Sequence, residues 1–370
     1  MAAVSIEDLG GALQRAYPEL EAVRAAAGEI PVYLVGGAVR DLLLGQPRGD
    51  IDLVVVGDAA ALAGKLGAET IEHERFATAK VRLGEHEVDL ATARTERYER
   101  PGALPDIEPA ASIDDDLGRR DFTINAMALA LAREPRLIDP HGGRADLAAG
   151  QLRVLHPGSF ADDPTRALRA ARYAARFGFG LDPGTEALLR STDLSTVSSD
   201  RREAELLRLA DEENALRGLE LLDAWGLVPL QPGRLELARR VDELLQDPPW
   251  SGVVDRAPAL LAAVRTAPGE SERPLAPPRH PSEGVELARG RQPLDLLLAR
   301  ARGAAWLDRY LNEWCKVALE IDGDDLIAAG VPQGPALGRG LTEALHRKLD
   351  GEIDSRDEEL AAALAAARRA

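Results

Sequence analysis

The sequence predicts an α+β chain in two parts: a domain mixing strands with helices up to about residue 150, then an all-helical remainder. Three observations carry this reading. Short apolar runs that end in glycine, PVYLVGG (31–37) and DIDLVVVG (50–57), mark strands among helical periods. Beyond residue 160 the period is helical, as in TRALRAARYAARFGF and DRREAELLRLADEENALRGLELLDAWGL, with no convincing strand. Alanine and leucine abound while aromatics make up only 4%, which favours helix and a core of Leu, Ala and Val.

Taken in order, residues 5–28 read as one amphipathic helix. PVYLVGG is a strand and turn, and AVRDLLLG (38–45) is a short helix stopped by Gly45 and Pro47. DIDLVVVG is a strand and AALAGKLG (60–67) a helix. AKVRLGEHEVDLATA (79–93) predicts a hairpin turning near Gly84 and Glu85. Strands mixed with helices over this stretch suit a small α/β or α+β domain. TERYERPGALP (95–105) reads as a mobile loop. TAPGESERPLAPPRHPSEG (266–284) holds five prolines and reads as an exposed linker or long loop. EELAAALAAARRA at the end reads as a helix or fraying tail.

A length of 370 residues allows two or three domains, and 45% hydrophobic content supplies a sizeable core. No run of about 18 apolar residues occurs, so no membrane span is expected. The first twenty residues are acidic and amphipathic, unlike a signal peptide. The single cysteine, Cys315, excludes an intramolecular disulfide and a multi-cysteine zinc site, and fits a reducing cytoplasm. The six histidines (73, 86, 141, 156, 280 and 346) have no metal spacing. A net charge of −17 argues at first against a nucleic-acid partner, but net charge speaks of solubility and steering and leaves room for a local basic groove. Lys65, Lys80, Lys316 and Lys348 are the only lysines; the other cations are arginines, which suit bidentate contact to phosphates and base edges.

The sharpest local feature is GDIDLVVV. Asp50 and Asp52, two apart on a strand, point to one face. Paired carboxylates repel unless a cation lies between them, and Mg²⁺ takes hard oxygen ligands while keeping positions for water and phosphate. Such a pair can clamp a nucleoside triphosphate and activate an attacking hydroxyl. An isolated D-x-D is more often two solvated aspartates. Here LVGGAVRDLLLG lies just upstream: Gly36 and Gly37 permit close backbone approach to phosphate, the next helix offers free N–H groups, and Arg40 in its first turn can reach a phosphate. Two-metal phosphoryl transfer calls for a third carboxylate. Asp89 in EHEVDLATA is the candidate, and Glu87, on the same face by period, is its competitor.

With LVGGAVRDLLLG, GDIDLVVV, DLGRRDFTINAMAL, IDPHGGRADL and DDPTRALRAARYAARFGF in this order, the sequence resembles the class II tRNA nucleotidyltransferase and bacterial poly(A) polymerase family, within the DNA polymerase β-like nucleotidyltransferase superfamily. The resemblance covers roughly residues 30–210. It implies a polymerase β-like head with a mixed sheet (1–150), a helical base-recognition neck (151–225) and a helical RNA-binding body and tail (226–370). It implies that Gly37 and Arg40 contact the triphosphate, that Asp50 and Asp52 hold Mg²⁺, that Arg120 binds nucleotide and that Asn125 lines the sugar side. Asp163, Arg166, Arg169 and Arg172 match the neck motif that selects the base. The motif of full CCA-adding members begins Glu-Asp; here it reads Asp162-Asp163, which keeps the charge. The implied activity is transfer of nucleotides from ATP and CTP to the 3′ end of tRNA, for CCA-end maturation or only for the terminal A. PGALP followed by PAASIDDDL is closer to the A-adding and poly(A) polymerase branch. The alternatives are poly(A) synthesis on other RNAs, adenylylation of a small molecule, and a non-catalytic RNA-binding relative.

Base choice can be argued from chemistry. Cytosine and adenine each present an amino donor beside a ring-nitrogen acceptor; uracil and guanine present the reverse. A carboxylate only accepts and arginine only donates. An Asp163–Arg166 pair therefore fits C and A and opposes U and G, because the wrong edge leaves buried charged groups unpaired. Three apart on a helix, the two would be neighbours. Arg169 and Arg172 drift off that face by about 60° per three-residue step, so they are expected to help from the side, by phosphate contact or by fixing Asp163. The bland reading of all four is a charged helix face. For Arg119, Arg120 and Asp121 it is a helix-start ion cluster, for IDPHGGRADL a turn before a helix with a structural role, and for Trp225, Trp250, Trp306 and Trp314 a place in the core.

Overall fold

The computed structural model describes residues 8–47, 51–67, 78–84, 86–265 and 275–369. The chain divides into two compact units, Met1–Pro229 and Leu230–Ala370.

In the first unit, α1 (Leu9–Ala16) and α2 (Leu20–Ala27) replace the single helix expected over 5–28. Pro18 is the cause: it has no N–H to donate and pushes the residue before it off the helical region, and Tyr17 sits at φ −138°, ψ 64°. β1 (Val32–Val35) follows, then α3 (Gly37–Leu43), β2 (Ile51–Val55), α4 (Ala59–Lys65), β3 (Thr78–Leu83) and β4 (His86–Thr92). The expected β3–β4 hairpin is present, with Gly84 at φ +62°; Glu85 lies outside the described residues. The segment read as a mobile loop begins instead as a strand: β5 (Arg94–Arg97) pairs antiparallel with β6 (Asp106–Pro109). Then come α5 (Ile113–Gly118), β7 (Ala128–Ala130), β8 (Leu137–Ile138), α6 (Gly143–Ala149) and β9 (Gln151–Leu152).

The main sheet has six strands in the order β3-β4-β2-β1-β7-β8 and is mixed, as expected: β2 and β4 run parallel and the other neighbours antiparallel. Strand alternation explains its two faces. Ile51, Leu53, Val88 and Leu90 are buried on one face, while Asp52 and Asp89 point to the other and are exposed. Val54, on the Asp52 face, is buried in a cluster with Ile113 and Leu117 of α5. IDPHGGRADL is structural, as read: Asp139 accepts from the backbone N–H groups of Gly143 and Arg144 at 2.6 and 3.0 Å. A side chain at Gly143 would meet the Thr123 carbonyl oxygen at 2.1 Å.

The helical region follows with α7 (Ser159–Asp162), α8 (Thr165–Phe177), α9 (Pro183–Leu189), α10 (Ser199–Ala210) and α11 (Ala215–Ala224). α8 packs against α10 and α11. One small strand interrupts the region read as free of strands: β10 (Gly180–Leu181) pairs with β9.

The second unit is α12 (Arg234–Gln246), α13 (Arg256–Val264), α14 (Pro281–Ala288), α15 (Pro293–Ala301), α16 (Trp306–Asn312), α17 (Gly323–Ala328), α18 (Pro335–Leu349) and α19 (Arg356–Ala367). α14 starts inside the proline-rich stretch, because proline is well tolerated at a first helical position; residues 266–274 lie outside the described residues. The terminal segment is an ordinary helix, capped by Ser355 with Glu358 reaching back. Of the four tryptophans read as core residues, Trp250 and Trp314 are buried, whereas Trp225 and Trp306 are only half-buried. Among the described residues no helix is long and apolar enough to cross a membrane.

Candidate active site

The parallel register of β2 and β4 sets Asp52 directly beside Asp89. Residues 37 positions apart thus present two carboxylates level with each other on one sheet face. Glu87 stands one pleat away, paired with Lys80 of β3, which also lies 3.4 Å from Asp89. Of the two acids on β4, Asp89 is therefore the one in register with Asp52. Asp50 lies outside the described residues. Among the described residues no group of three or more His, Cys, Asp or Glu side chains is gathered as a metal would need.

Asp52 opens onto a cavity of about 570 Å³ lined by nine arginines and five carboxylates. A chain of net charge −17 thus keeps a locally cationic hollow. Gly36 turns the chain into it at φ +65°, ψ −128°, and a Cβ there would lie 2.7 Å from Arg120 Nη1. The positive φ and this close approach both require glycine. Gly37 begins α3, and Arg40, one turn on, is 3% exposed. Arg40 donates from Nε to Asp41 at 2.8 Å and from Nη1 to Asn125 Oδ1 at 2.6 Å, with its guanidinium 4.6 Å from the Phe177 ring centre. Asn125 in turn donates to Asp121 at 3.0 Å. Arg40 and Asn125 line the cavity as a braced wall, not as loose arms.

Two buried aspartates hold the arginines in place. Asp116, fully buried at the end of α5, accepts from Arg119 at 2.9 Å and Arg120 at 3.0 Å. Burial would raise its pKa, but the two arginines outweigh burial and hold it below the usual carboxylate value. Arg119 and Arg120 thus follow the end of α5, which differs from the bland alternative of an ion cluster at a helix start. Asp121 accepts from Arg169 Nε at 2.7 Å, from Asn125 and from the Phe122 N–H at 2.8 Å. Burial again opposes ionisation, yet these donors hold Asp121 down at about 2. Arg169 also donates to the Tyr173 hydroxyl at 2.8 Å and lies 3.6 Å from Glu205. Arg172 lies 3.6 Å from Glu205 and 3.4 Å from Glu212.

The base-selecting motif is arranged differently from the expected helix face. α7 ends at Asp162, and Asp163 is extended at φ −132°, ψ 94° because Pro164 follows it. Asp163 therefore stands ahead of α8, not on it. Its Oδ1 accepts from Thr165 N at 3.0 Å, Thr165 Oγ1 at 2.6 Å and Arg201 Nη2 at 2.9 Å. Arg166, in the first turn of α8, is 5% exposed and donates to Ser159 Oγ and to the Arg119 carbonyl, each at 2.7 Å. Both residues line the cavity. Arg201, rather than Arg169 or Arg172, fixes Asp163.

Sequence reasoning missed Arg201, Glu205, Glu96 and Tyr98. Arg201, Glu205 and Arg208 recur at i, i+4 and i+7 on α10, where an apolar stripe would be usual; that was the available signal. Glu96 on β5 accepts from Arg119 at 2.8 Å and from Tyr98 Oη at 2.9 Å. Burial pushes the Tyr98 hydroxyl up, and Glu96 adds to the shift.

Residues 32–153 match the poly A polymerase head domain. The chain is 44% identical over 217 residues to an A-adding tRNA nucleotidyltransferase of Halalkalibacterium halodurans, across 54% of this chain and 51% of that relative. It is 35% identical over 350 residues to the CC-adding tRNA nucleotidyltransferase of Deinococcus radiodurans, across 91% of this chain and 89% of the relative. Its fold is similar to that of the Thermotoga maritima CCA-adding enzyme complexed with tRNA, with a TM-score of 0.77, 30% identity and 99% of each chain covered. Relatives of both single-nucleotide specificities thus align with it, one of them over nearly its whole length, and the chain belongs to the family of tRNA nucleotidyltransferases and poly(A) polymerases.

Proposed function

We propose that the chain is a tRNA nucleotidyltransferase that transfers nucleotides from ATP or CTP to the 3′ end of tRNA, releasing pyrophosphate. The observation that carries this reading is Asp52, level with Asp89, at the edge of an arginine-rich cavity that also holds Asp163 and Arg166. The relatives named for adding A and for adding CC to tRNA, and the solved CCA-adding enzyme with bound tRNA, support the substrate.

The residues present fit Mg²⁺: Asp52 and Asp89 supply hard carboxylate oxygens from adjacent strands, and Asp50, two positions before Asp52 in the sequence, would complete the expected pair with Asp52, leaving Asp89 as the third carboxylate. Bound there, Mg²⁺ would lower the pKa of the RNA 3′-hydroxyl and offset charge on the phosphates. Arg120, anchored by Asp116 beside the Gly36 turn, faces the incoming triphosphate, and Gly37 opens the next helix in the same cavity wall. Arg40 and Asn125 brace that wall and shape the sugar side. Asp163 accepts from the amino group of C or A while Arg166 donates to the ring nitrogen. Arg169 and Arg172 keep the cationic floor in place through Asp121 and Glu205. Adenylylation of a small molecule is disfavoured, since that reaction has no use for a base-reading neck or for the 140 or so helical residues after it.

The test uses tRNA transcripts ending before the first C of the CCA end, after it, or after both, with Mg²⁺ and single nucleotides. Extension of all three to CCA makes this a complete CCA-adding enzyme. Addition of ATP alone to the longest, or of CTP alone to the two shorter, makes it a single-specificity enzyme. Extension of none overturns the reading.

A further inference from the structure

Every hydrogen bond that the Asp163 carboxylate receives falls on one of its two oxygens. Thr165 N, Thr165 Oγ1 and Arg201 Nη2 all donate to Oδ1, and among the described residues Oδ2 accepts none. The carboxylate therefore enters the cavity with one oxygen spent and the other available. Without Arg201, only Thr165 would hold Oδ1, and the carboxylate plane could swing about that one atom. Arg201 approaches from α10, a different element, and removes that freedom.

Arg201 is itself held on both sides. Its Nη1 donates to the Gly102 carbonyl at 2.9 Å, while Nη2 reaches Asp163. Gly102 lies in the segment between β5 and β6, at φ +72°, pressed so close to Thr196 that a Cβ would meet the Thr196 carbonyl oxygen at 2.5 Å. One planar guanidinium thus spans the β5–β6 segment and the Asp163 carboxylate. A lysine has a single nitrogen on a flexible stem and cannot serve two acceptors in a fixed fork.

We propose that Arg201 is a positioning residue for base selection: it locks the Asp163 carboxylate so that Oδ2 meets the amino group of the incoming C or A. The proposal rests on the reading of Asp163 as the base-selecting acceptor. A swinging carboxylate would still accept from that amino group at times, but it would no longer impose a fixed penalty on U and G. The loss therefore falls on discrimination more than on turnover of a correct nucleotide.

The experiment measures kcat/KM for ATP, CTP, UTP and GTP with a tRNA acceptor in the full chain, for Arg201→Gln, Arg201→Lys, Asp163→Ala and the double variant Asp163→Ala with Arg201→Gln. Arg201→Gln is expected to lower the preference for the accepted nucleotide over UTP and GTP roughly tenfold, the scale of one lost charge-assisted hydrogen bond. Arg201→Lys should recover part of it. In the Asp163→Ala background Arg201→Gln should cost no further discrimination. An equal loss for all four nucleotides, with their ratio unchanged, overturns the proposal. So does loss of discrimination in Asp163→Ala but not in Arg201→Gln. Retained discrimination in Asp163→Ala sinks the base-reading role itself, a separate outcome. Should Arg201→Gln fail to fold, Arg201→Lys decides: a discrimination equal to the parent's refutes the lock.

Discussion

Asp121 and Arg169, 48 residues apart, form a buried charge-assisted pair with Arg169 Nε 2.7 Å from the carboxylate. The pair ties the residue after the Arg119–Arg120 dipeptide to α8. It makes stability depend on pH in a definite direction. Unfolded, Asp121 takes a proton near 3.8; folded, it does so only near 2. Between those values the unfolded state binds more protons, so stability rises with pH, is fully present above about 4 and fades as pH falls towards 2. The shift is worth roughly 2 kcal/mol. Asp121→Asn should lower the thermal unfolding midpoint at pH 7, and the gap to the parent should narrow below pH 4. A gap independent of pH would refute this account.

Asp52 and Asp89 are exposed, so their loss should cost chemistry and not fold. Asp52→Ala should reduce nucleotide transfer roughly a thousandfold or more with an unchanged circular dichroism melt. Asp89→Asn should fall nearly as far, whereas Glu87→Gln, one pleat off and paired with Lys80, should keep most activity. The reverse order for residues 87 and 89 would move the third carboxylate to Glu87.

Gly36→Ala places a methyl 2.7 Å from Arg120 Nη1 and forces a left-handed φ on a residue with a Cβ. Arg120 must retreat from Asp116, and the backbone strain adds about 1 kcal/mol. Calorimetric titration with ATP should show affinity weakened about tenfold. Unchanged affinity would mean that Arg120 does not hold the triphosphate.

What the sequence made legible follows from local rules. The sheet-face alternation of Asp52 and Asp89 is a period-2 pattern, and it held. The position of Asp163 was also written locally, in Asp163-Pro164, since a residue before proline leaves the helix; the helical spacing of the motif concealed it. β5 and β6 were illegible for a different reason. RTER and DIEP are short and charged, without the apolar alternation that marks a strand, and their pairing is visible only in three dimensions. Arg201 belongs to this second class, because its meaning lies in contacts to residues 38 and 99 positions away.

Gly102 offers the last test, because its packing is separable from its backbone strain. Alanine at Gly102 incurs the cost of φ +72° and also a 2.5 Å collision with the Thr196 carbonyl oxygen, whereas alanine at Gly84, φ +62° in the β3–β4 turn, incurs only the first. Both should lose about 1 kcal/mol of stability from strain. Only Gly102→Ala must push the β5–β6 segment off Thr196, which moves the carbonyl that anchors Arg201 Nη1. Discrimination of ATP and CTP against UTP should therefore fall several-fold in Gly102→Ala and stay at the parent level in Gly84→Ala. Equal behaviour of the two variants would break the link between that segment and the Asp163 carboxylate. A drop confined to Gly102→Ala would tie a backbone contact outside the base-reading pair to the choice of base.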